Sequence, residues 1–221
     1  GNRKGESKRQ PHAGGKAPLA PERHRSSFKR RRKPPPQVAR ERQREMRAFI
    51  ALEVSEGFAD DIAGLARQLG AVVEGRFLPR SIYHLTLAFL GEVDKREISA
   101  SMAAIDAACA DAAPIPLRSD GLGKFGRPSD ATLWLGIAPV PTLMLFAERI
   151  REELARRNVP FDDKSFKPHI TLARRARIPK GSLPALAFPE IGEASAVVLF
   201  KSTLSKEGAT YKPLHTAALT Q

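Results

Sequence analysis

Apolar and polar residues follow one another from residue 46 onward in patterns that predict strands alternating with helices. The apolar run over 48–54 predicts a first strand. Ser55 is a suitable N-cap for a helix that runs to about Leu69 and closes at Gly70, because apolar residues recur there at helical spacing. The globular part of the chain is therefore expected to begin at Met46.

Two more elements follow in the same half. Residues 82–90 predict a second strand that ends at Gly91. Asp94 is a suitable cap for a second helix, whose apolar stripe reaches Cys109 before a proline. The order of elements in this half is therefore strand, helix, strand, helix.

The middle of the chain is rich in glycine. Residues 115–119 predict a short strand, which the following glycines interrupt. A further strand is predicted over 132–137. Between these strands, Lys124, Phe125 and Arg127 are expected to lie in a loop.

The second half resembles the first in its order of elements. An amphipathic helix is predicted over 143–157, followed by strands at about 168–173, 196–204 and 210–219. Because the last two strands follow one another like a hairpin, we expect an α+β fold rather than a doubly wound parallel sheet. The expected architecture has two pseudo-symmetric lobes, each an antiparallel sheet with flanking helices, around a central cleft.

One short sequence occurs twice. The pentapeptide HLTLA at 84–88 recurs as HITLA at 169–173, four identities in five. Side chains alternate faces along a strand, so each copy places its His and Thr on one face and its aliphatic residues on the other. Two such strands side by side would bring two imidazoles and two hydroxyls to one point.

Two His-Thr pairs at one point suit acid-base chemistry on a phosphate ester. An unperturbed His titrates at about 6.5, so one ring can accept a proton while the other donates one. The Thr hydroxyls can hydrogen-bond the non-bridging phosphate oxygens. Zinc would need a third ligand that the local sequence lacks, and the nearby Asp162 and Asp163 are expected in a solvated turn. The pattern therefore predicts catalysis without a metal or other cofactor.

The two segments HLTLAFLGEV and FKPHITLARRA resemble the paired H-x-T-x signatures of the 2H phosphoesterase superfamily. Residues 46–52, 125–136 and 208–211 are also similar to its RNA 2',3'-cyclic phosphodiesterase branch, formerly called 2'-5' RNA ligases. The resemblance covers residues 46–219.

This resemblance implies hydrolysis of a terminal 2',3'-cyclic phosphate on RNA to a 2'-phosphomonoester, without a cofactor, in a cleft between the lobes. It implies His84 as the proton donor and His169 as the proton acceptor. It also implies that Thr86 and Thr171 bind the phosphate oxygens. Two alternatives stay open: an RNA-end binding protein without turnover, and a weak 2'-5' RNA ligase.

Other side chains are secondary candidates. Phe125 could stack a base and Arg127 could reach a phosphate. Strict alternation from the second His puts Arg174 on the opposite face, so either the strand bulges or this arginine is structural. Trp134 is expected in the core, and His215 in a local polar contact.

The positive charge of the chain is concentrated before the globular part. Residues 1–45 contain 15 Lys and Arg against four Glu, a net charge of +11 out of +13 for the chain. With few large apolar residues, this segment is expected to be a disordered basic arm. Whether it binds nucleic acid or only improves solubility stays open, and its run of prolines disfavours a mitochondrial presequence.

Composition sets further expectations. Cys109 is the single cysteine, which excludes an intramolecular disulfide and favours a reducing compartment. No run approaches the about 18 apolar residues of a membrane span. We therefore expect a cytoplasmic monomer with no membrane partner, acting on RNA with 2',3'-cyclic phosphate ends.

Overall fold

The structure, a computed structural model, describes residues 46–221, so the predicted basic arm lies outside the described residues. The strands are β1 (Met46–Val54), β2 (Glu74–Phe77), β3 (His84–Val93), β4 (Ile115–Arg127), β5 (Asp130–Ile137), β6 (His169–Arg177), β7 (Ile191–Ser205) and β8 (Gly208–Ala218). The helices are α1 (Glu56–Gly70), α2 (Lys95–Cys109) and α3 (Pro141–Arg156), with a short 3-10 turn at Arg80–Ile82.

All strand pairings among these elements are antiparallel. The strand order is β2-β6-β5-β4-β7-β1-β3, and β8 pairs with β7 outside this path. The long strand β4 joins two lobes, because Ile115–Arg118 pairs with β7 while the residues from Ser119 onward pair with β5. The expected α+β class with two antiparallel lobes is confirmed.

The two lobes are not successive halves of the chain. The C-terminal hairpin of β7 and β8 completes the lobe of β1 and β3. In exchange, β2 from the first half pairs with β6 in the other lobe. Each half therefore contributes strands to its counterpart, which ties the two lobes together across the cleft.

The helices form where their apolar periodicity predicts them. In α1 the residues at helical spacing are buried, namely Phe58, Ile62, Leu65 and Leu69. Asp94 caps α2 through a capping box with Glu97, with both hydrogen bonds at 2.8 Å. Ser55 occupies the N-cap position of α1 but makes no side-chain capping bond. Each helix buries one face against the sheets or a neighbouring helix, which leaves the cleft between the lobes to the strands.

Two strand predictions are wrong, and one strand was not predicted. Gly91 does not end β3, because it lies at a bulge with φ of 70° and pairing continues to Val93. The glycines of β4 do not break it, so Phe125 lies on a strand instead of in a loop. The strand β2 was not predicted, because its four residues, EGRF, show no apolar alternation. Pairing with distant strands overrides the weak local signal at all three places.

No helix among residues 46–221 is long and apolar enough to cross a membrane. The single cysteine, Cys109, is buried, and burial raises the pKa of its thiol to about 11, with Asp106 adding to the effect. His215 Nε2 lies 2.7 Å from Asp106 Oδ1, which places it in the expected local polar contact.

Candidate active site

A bulge interrupts β3 just after its His and Thr. Thr86 pairs with Ala51 and Ala88 with Ile50, so Leu87 is an extra residue on this strand. Leu87 and Ala88 are both buried, whereas Thr86 is half-buried and faces the cleft. The extra residue reverses the alternation, and the next side chain, Phe89, returns to the cleft.

The strand β6 carries the same bulge at the same place in its repeat. Thr171 pairs with Trp134 and Ala173 with Leu133, so one residue is again extra. Thr171 is half-buried and Ala173 is buried. Arg174 consequently lines the cleft beside Thr171, which confirms the bulged alternative for this residue.

Each catalytic candidate is oriented by a backbone carbonyl two residues earlier. His84 Nδ1 lies 2.7 Å from the carbonyl oxygen of Ile82, and His169 Nδ1 lies 2.6 Å from that of Lys167. A carbonyl oxygen only accepts, so Nδ1 must carry the proton in both rings. Nε2 is therefore the nitrogen through which each ring can accept or donate a proton.

Aromatic side chains enclose the His84 ring. The ring centroid of Phe49 lies 5.0 Å away and that of Tyr211 lies 5.4 Å away, edge-on at 88°. Phe49 of β1 is buried, so its ring packs against the imidazole from inside the first lobe. His84 accordingly lies in an apolar wall with limited access to water.

A different aromatic pair surrounds His169. Phe125 approaches edge-on at 5.1 Å and Trp134 lies at 5.6 Å. The Trp134 ring lies over Gly123, where a Cβ atom would come within 2.0 Å of it, so this position requires glycine. Lys167 Nζ lies 5.3 Å from the Trp134 ring centroid, a cation-π distance. The second histidine is therefore in a more cationic setting than the first.

Burial is the main cause that lowers the pKa of both imidazoles. The carbonyl bonds of Ile82 and Lys167 oppose this shift, because they favour the protonated rings. The charge of Arg174 lowers the pKa of both His84 and His169 further. Without a bound anion, both rings therefore favour the neutral form near pH 7.

The two histidines and both threonines line one cleft of about 770 Å³ between the lobes. Its lining includes five cationic side chains, namely Arg47, Arg76, Arg174, Arg175 and Lys206. Asp162 is the acidic residue in the lining among the described residues. Such a surface attracts an anion, and the low dielectric of its walls strengthens that attraction.

A second cavity of about 410 Å³ shares Thr86 and His169 with this cleft. Phe89 and Phe125 line it together with Lys164 and other residues of the segment before β6. This cavity borders His169 but not His84, so it opens on one side of the site only.

Hydrogen bonds fix the segment before β6 to the first histidine strand. Asp162 N donates to the carbonyl oxygen of Phe89 at 2.8 Å. Arg151 donates to the carbonyl oxygens of Leu87 at 3.3 Å and Lys164 at 2.8 Å. These bonds join β3 to the approach of β6, so the two histidines are held relative to each other.

Not every predicted site residue reaches the cleft. Phe125 contacts His169 and is 42% exposed in the second cavity, where a base could stack on it. Arg127 lies exposed at the end of β4 and lines neither cavity. Lys124 Nζ donates to the carbonyl oxygen of Gly126 instead. Trp134 is buried as expected, yet it also borders the histidine.

Sequence reasoning missed several residues of the cleft, including Arg47, Arg76, Arg175, Lys206 and Tyr211. Arg76 lies on the unpredicted β2, and Tyr211 on the far C-terminal strand that crosses to the first lobe. Strict alternation from His169 puts Arg175 on the face of the histidine, but sequence reasoning did not single it out. Sequence signals existed for Arg174, which follows the second motif directly, and for Tyr211, which ends the segment 208–211 that resembles the family.

The described residues, 46–221, contain no group of three or more His, Cys, Asp or Glu side chains placed to hold a metal ion. The cleft lining offers imidazole, hydroxyl, guanidinium and ammonium groups, together with the carboxylate of Asp162. Imidazole can transfer a proton near neutral pH, and the cationic groups can bind an anion.

Fold and site together define a two-lobed α+β protein with a His-Thr strand from each lobe at a basic cleft. The family model of the 2'-5' RNA ligase superfamily matches residues 56–190, and the chain belongs to that superfamily. An RNA 2',3'-cyclic phosphodiesterase of Thermotoga maritima is 31% identical over 176 residues, covering 77% of this chain and 94% of the relative. One of Escherichia coli is 31% identical, covering 79% and 97%.

Solved structures show the same fold. Escherichia coli LigT in its apo form is 27% identical and superposes with a TM-score of 0.64, covering 80% of this chain and 99% of LigT. LigT complexed with 3'-AMP gives a TM-score of 0.66 with the same coverage and identity. The chain is therefore similar to these proteins over nearly their whole length.

Proposed function

We propose that this protein hydrolyses 2',3'-cyclic phosphate ends of RNA to 2'-phosphomonoesters by two-histidine acid-base catalysis. The observation that carries the proposal is the pair of identically bulged His-Thr strands facing one basic cleft. Curated relatives at 31% identity are named RNA 2',3'-cyclic phosphodiesterases, which supports the substrate class.

In the proposed reaction, His169 Nε2 accepts a proton from water as the water oxygen attacks phosphorus. The bond between phosphorus and the ribose O3' breaks, and His84 Nε2–H donates its proton to that oxygen. One proton enters the protein and one leaves it, so the pair must exchange their charge states before the next turnover. The carbonyl bonds at Nδ1 keep both rings in the tautomer that this exchange requires.

His84 must carry a proton when the substrate is bound, although burial lowers its pKa in the free protein. A bound cyclic phosphate brings a negative charge to the cleft, which raises the pKa of both imidazoles. Substrate binding thus supplies the protonated acid, while Arg174 and the hydroxyls of Thr86 and Thr171 stabilise the phosphate oxygens as charge develops.

The deciding experiment uses an RNA that ends in a 2',3'-cyclic phosphate, incubated with the protein and a chelator. We expect conversion to a 2'-phosphate end at the same rate with and without chelator, because side chains supply the acid, the base and the anion contacts. Loss of activity with chelator and its return with one divalent metal would overturn this mechanism. Binding of the RNA without any product would instead support the RNA-end binding alternative.

Weak 2'-5' ligation is a second candidate, favoured by the second cavity beside His169. A 5'-hydroxyl of another RNA placed there would replace water as the nucleophile. The bond between phosphorus and the acceptor O5' would form, the bond to the ribose O3' would break, His169 would accept the proton of the 5'-hydroxyl and His84 would protonate O3'. Adding an RNA with a 5'-hydroxyl to the assay tests this candidate. A joined product with a 2'-5' linkage would support it, and exclusive hydrolysis at high acceptor concentration would contradict it.

A further inference from the structure

Three cationic residues form one edge of the cleft, which we call the basic rim: Arg76, Arg175 and Lys206. Arg76 is paired with Arg174, the chain neighbour of Arg175. Its Nη1 donates to the carbonyl oxygen of Glu207 at 2.9 Å, which places it beside Lys206. The basic rim therefore joins residues of both lobes into one cluster.

The tight turn after β7 is shaped around Arg76. Gly208 has a φ of 130°, and a Cβ atom there would lie 3.1 Å from Arg76 Nη1. Glycine at this position lets the guanidinium approach the backbone closely and be held by Glu207. A backbone contact therefore holds Arg76 at the rim, and its guanidinium has further donors that can reach a ligand.

Arg175 has an unusual backbone conformation. Its φ is 51°, in the left-handed region that arginine rarely adopts. Two consecutive side chains of a regular strand face opposite ways, yet Arg174 and Arg175 both line the cleft. Strained backbone of this kind concentrates at functional sites, where it aims a side chain.

Among residues 46–221, no acidic side chain forms an ion pair with the basic rim. Glu74 lies 3.7 Å from Arg177, which is on β6 but does not line the cleft. The Glu207 side chain is exposed outside the lining, and Asp162 is attached to Phe89 of the other histidine strand. The rim therefore has cationic donors in excess of what the reacting phosphate needs.

We propose that the basic rim binds the phosphodiester on the 5' side of the terminal nucleotide, so that the protein prefers oligonucleotide over mononucleotide cyclic phosphates. This inference rests on the proposed function. Arg174 lies with Thr171 at the reacting phosphate, and Arg175 is its direct neighbour, within 3.8 Å between Cα atoms. An arginine there reaches the next phosphate of the same chain, and its fork suits phosphate oxygens.

The test compares kcat/KM for a dinucleotide ending in a 2',3'-cyclic phosphate with kcat/KM for a mononucleoside 2',3'-cyclic phosphate. The variant is Arg175→Asn, because Asn adopts left-handed backbone readily and removes the charge without new strain. Arg177→Asn is the matched control, since it removes the same charge from the same strand outside the cleft. Arg175→Lys tests whether charge alone suffices.

We expect wild type to favour the dinucleotide and Arg175→Asn to lower that preference about tenfold, the size of one charge-assisted hydrogen bond. Arg177→Asn should keep the wild-type preference, and Arg175→Lys should restore part of it. The kcat/KM for the dinucleotide should also depend less on salt in Arg175→Asn, because one phosphate contact is lost.

If wild type and Arg175→Asn prefer the dinucleotide to the same extent, the inference is overturned. If Arg175→Asn loses kcat/KM equally on both substrates, it is also overturned, because Arg175 would then act at the reacting phosphate. If wild type hydrolyses both substrates with equal kcat/KM, the inference about the basic rim is contradicted and the proposed function is not. Failure of wild type to hydrolyse either substrate would instead overturn the proposed function, and the inference with it.

Discussion

The two histidine strands, β3 and β6, are built alike and placed differently. Both bulge after the threonine, bury the next two residues and fix the imidazole through a carbonyl two residues earlier. Among the described strands β3 pairs only with β1, whereas β6 lies between β2 and β5. At the first position after the bulge that faces the cleft, β3 carries Phe89 and β6 carries Arg174.

This difference separates what the repeat provides from what the surroundings provide. The repeated sequence gives two imidazoles with the same tautomer, which are the proton-transfer groups that we propose. Both rings have aromatic neighbours, Phe49 and Tyr211 at His84 and Phe125 and Trp134 at His169. The charge of Arg174 acts on both rings, whereas that of Lys167 lowers the pKa of His169 only. Assigning one ring as acid and the other as base therefore depends on residues outside the repeat.

The largest effect is expected when either repeat loses its imidazole. His84→Ala and His169→Ala should each lower kcat about 100-fold or more, because each removes a general acid-base group. The rate is measured on a cyclic-phosphate RNA end, and thermal unfolding checks that the fold is intact. His215→Ala is the matched control, since this ring contacts Asp106 and lies outside the cleft. Near-normal turnover by one variant would remove that histidine from the mechanism.

Arg174→Phe makes the second strand resemble the first. It should lower kcat/KM about 100-fold, because the phosphate loses a preorganised cationic donor. Since the charge of Arg174 lowers the pKa of both imidazoles, its removal should also move the pH profile toward higher pH. Steady-state kinetics over a pH series measure both effects. An unshifted profile with a near-normal rate would show that Phe89 and Arg174 are interchangeable.

The threonines are expected to matter less than the histidines and equally in the two strands. Thr86→Val and Thr171→Val should each lower kcat about tenfold, because each removes one hydrogen bond to a charged phosphate. Thr86→Ser and Thr171→Ser retain the hydroxyl and serve as controls. A loss at one threonine only would show that the repeat is symmetric in structure but not in its contacts with the substrate.

The pH dependence of wild type tests the shared environment of the two rings. Activity needs one ring protonated and one neutral, so kcat/KM is highest midway between their pKa values in the free protein. Burial lowers both from the ordinary 6.5, so the optimum of kcat/KM should lie below pH 6.5. The kcat optimum should lie higher, because the bound phosphate raises both pKa values. A kcat/KM optimum above 6.5 would contradict the lowered pKa values.

The smallest effect on catalysis is expected outside both strands. Deleting residues 1–45 should leave turnover of a short cyclic-phosphate substrate nearly unchanged, because both histidines and both threonines of the repeat lie after position 45. Affinity for a long RNA should become less dependent on salt, since a net charge of +11 is removed. Affinity across a salt series, with and without the segment, measures this. Equal slopes would show that this segment does not bind RNA.

The sequence by itself determined the elements whose signal is local. Helices α1, α2 and α3 follow from apolar periodicity, because their hydrogen bonds join residues four apart in the chain. The repeat at 84–88 and 169–173 identified His84, Thr86, His169 and Thr171 without any structure, and all four line one cleft. The residues with the chemically useful side chains are thus the same ones that the repeated sequence marks.

Only the tertiary structure decided how these pieces meet. The exchange of β2 and the C-terminal hairpin between lobes, and the separation of Phe125 from Arg127, depend on pairing between distant segments. The bulges that bring Phe89 and Arg174 into the cleft are differences in register between two strands, and neither strand encodes its register alone. Because a slip of one residue changes which face a side chain occupies, the charged lining of the cleft was set by strand pairing and not by local sequence.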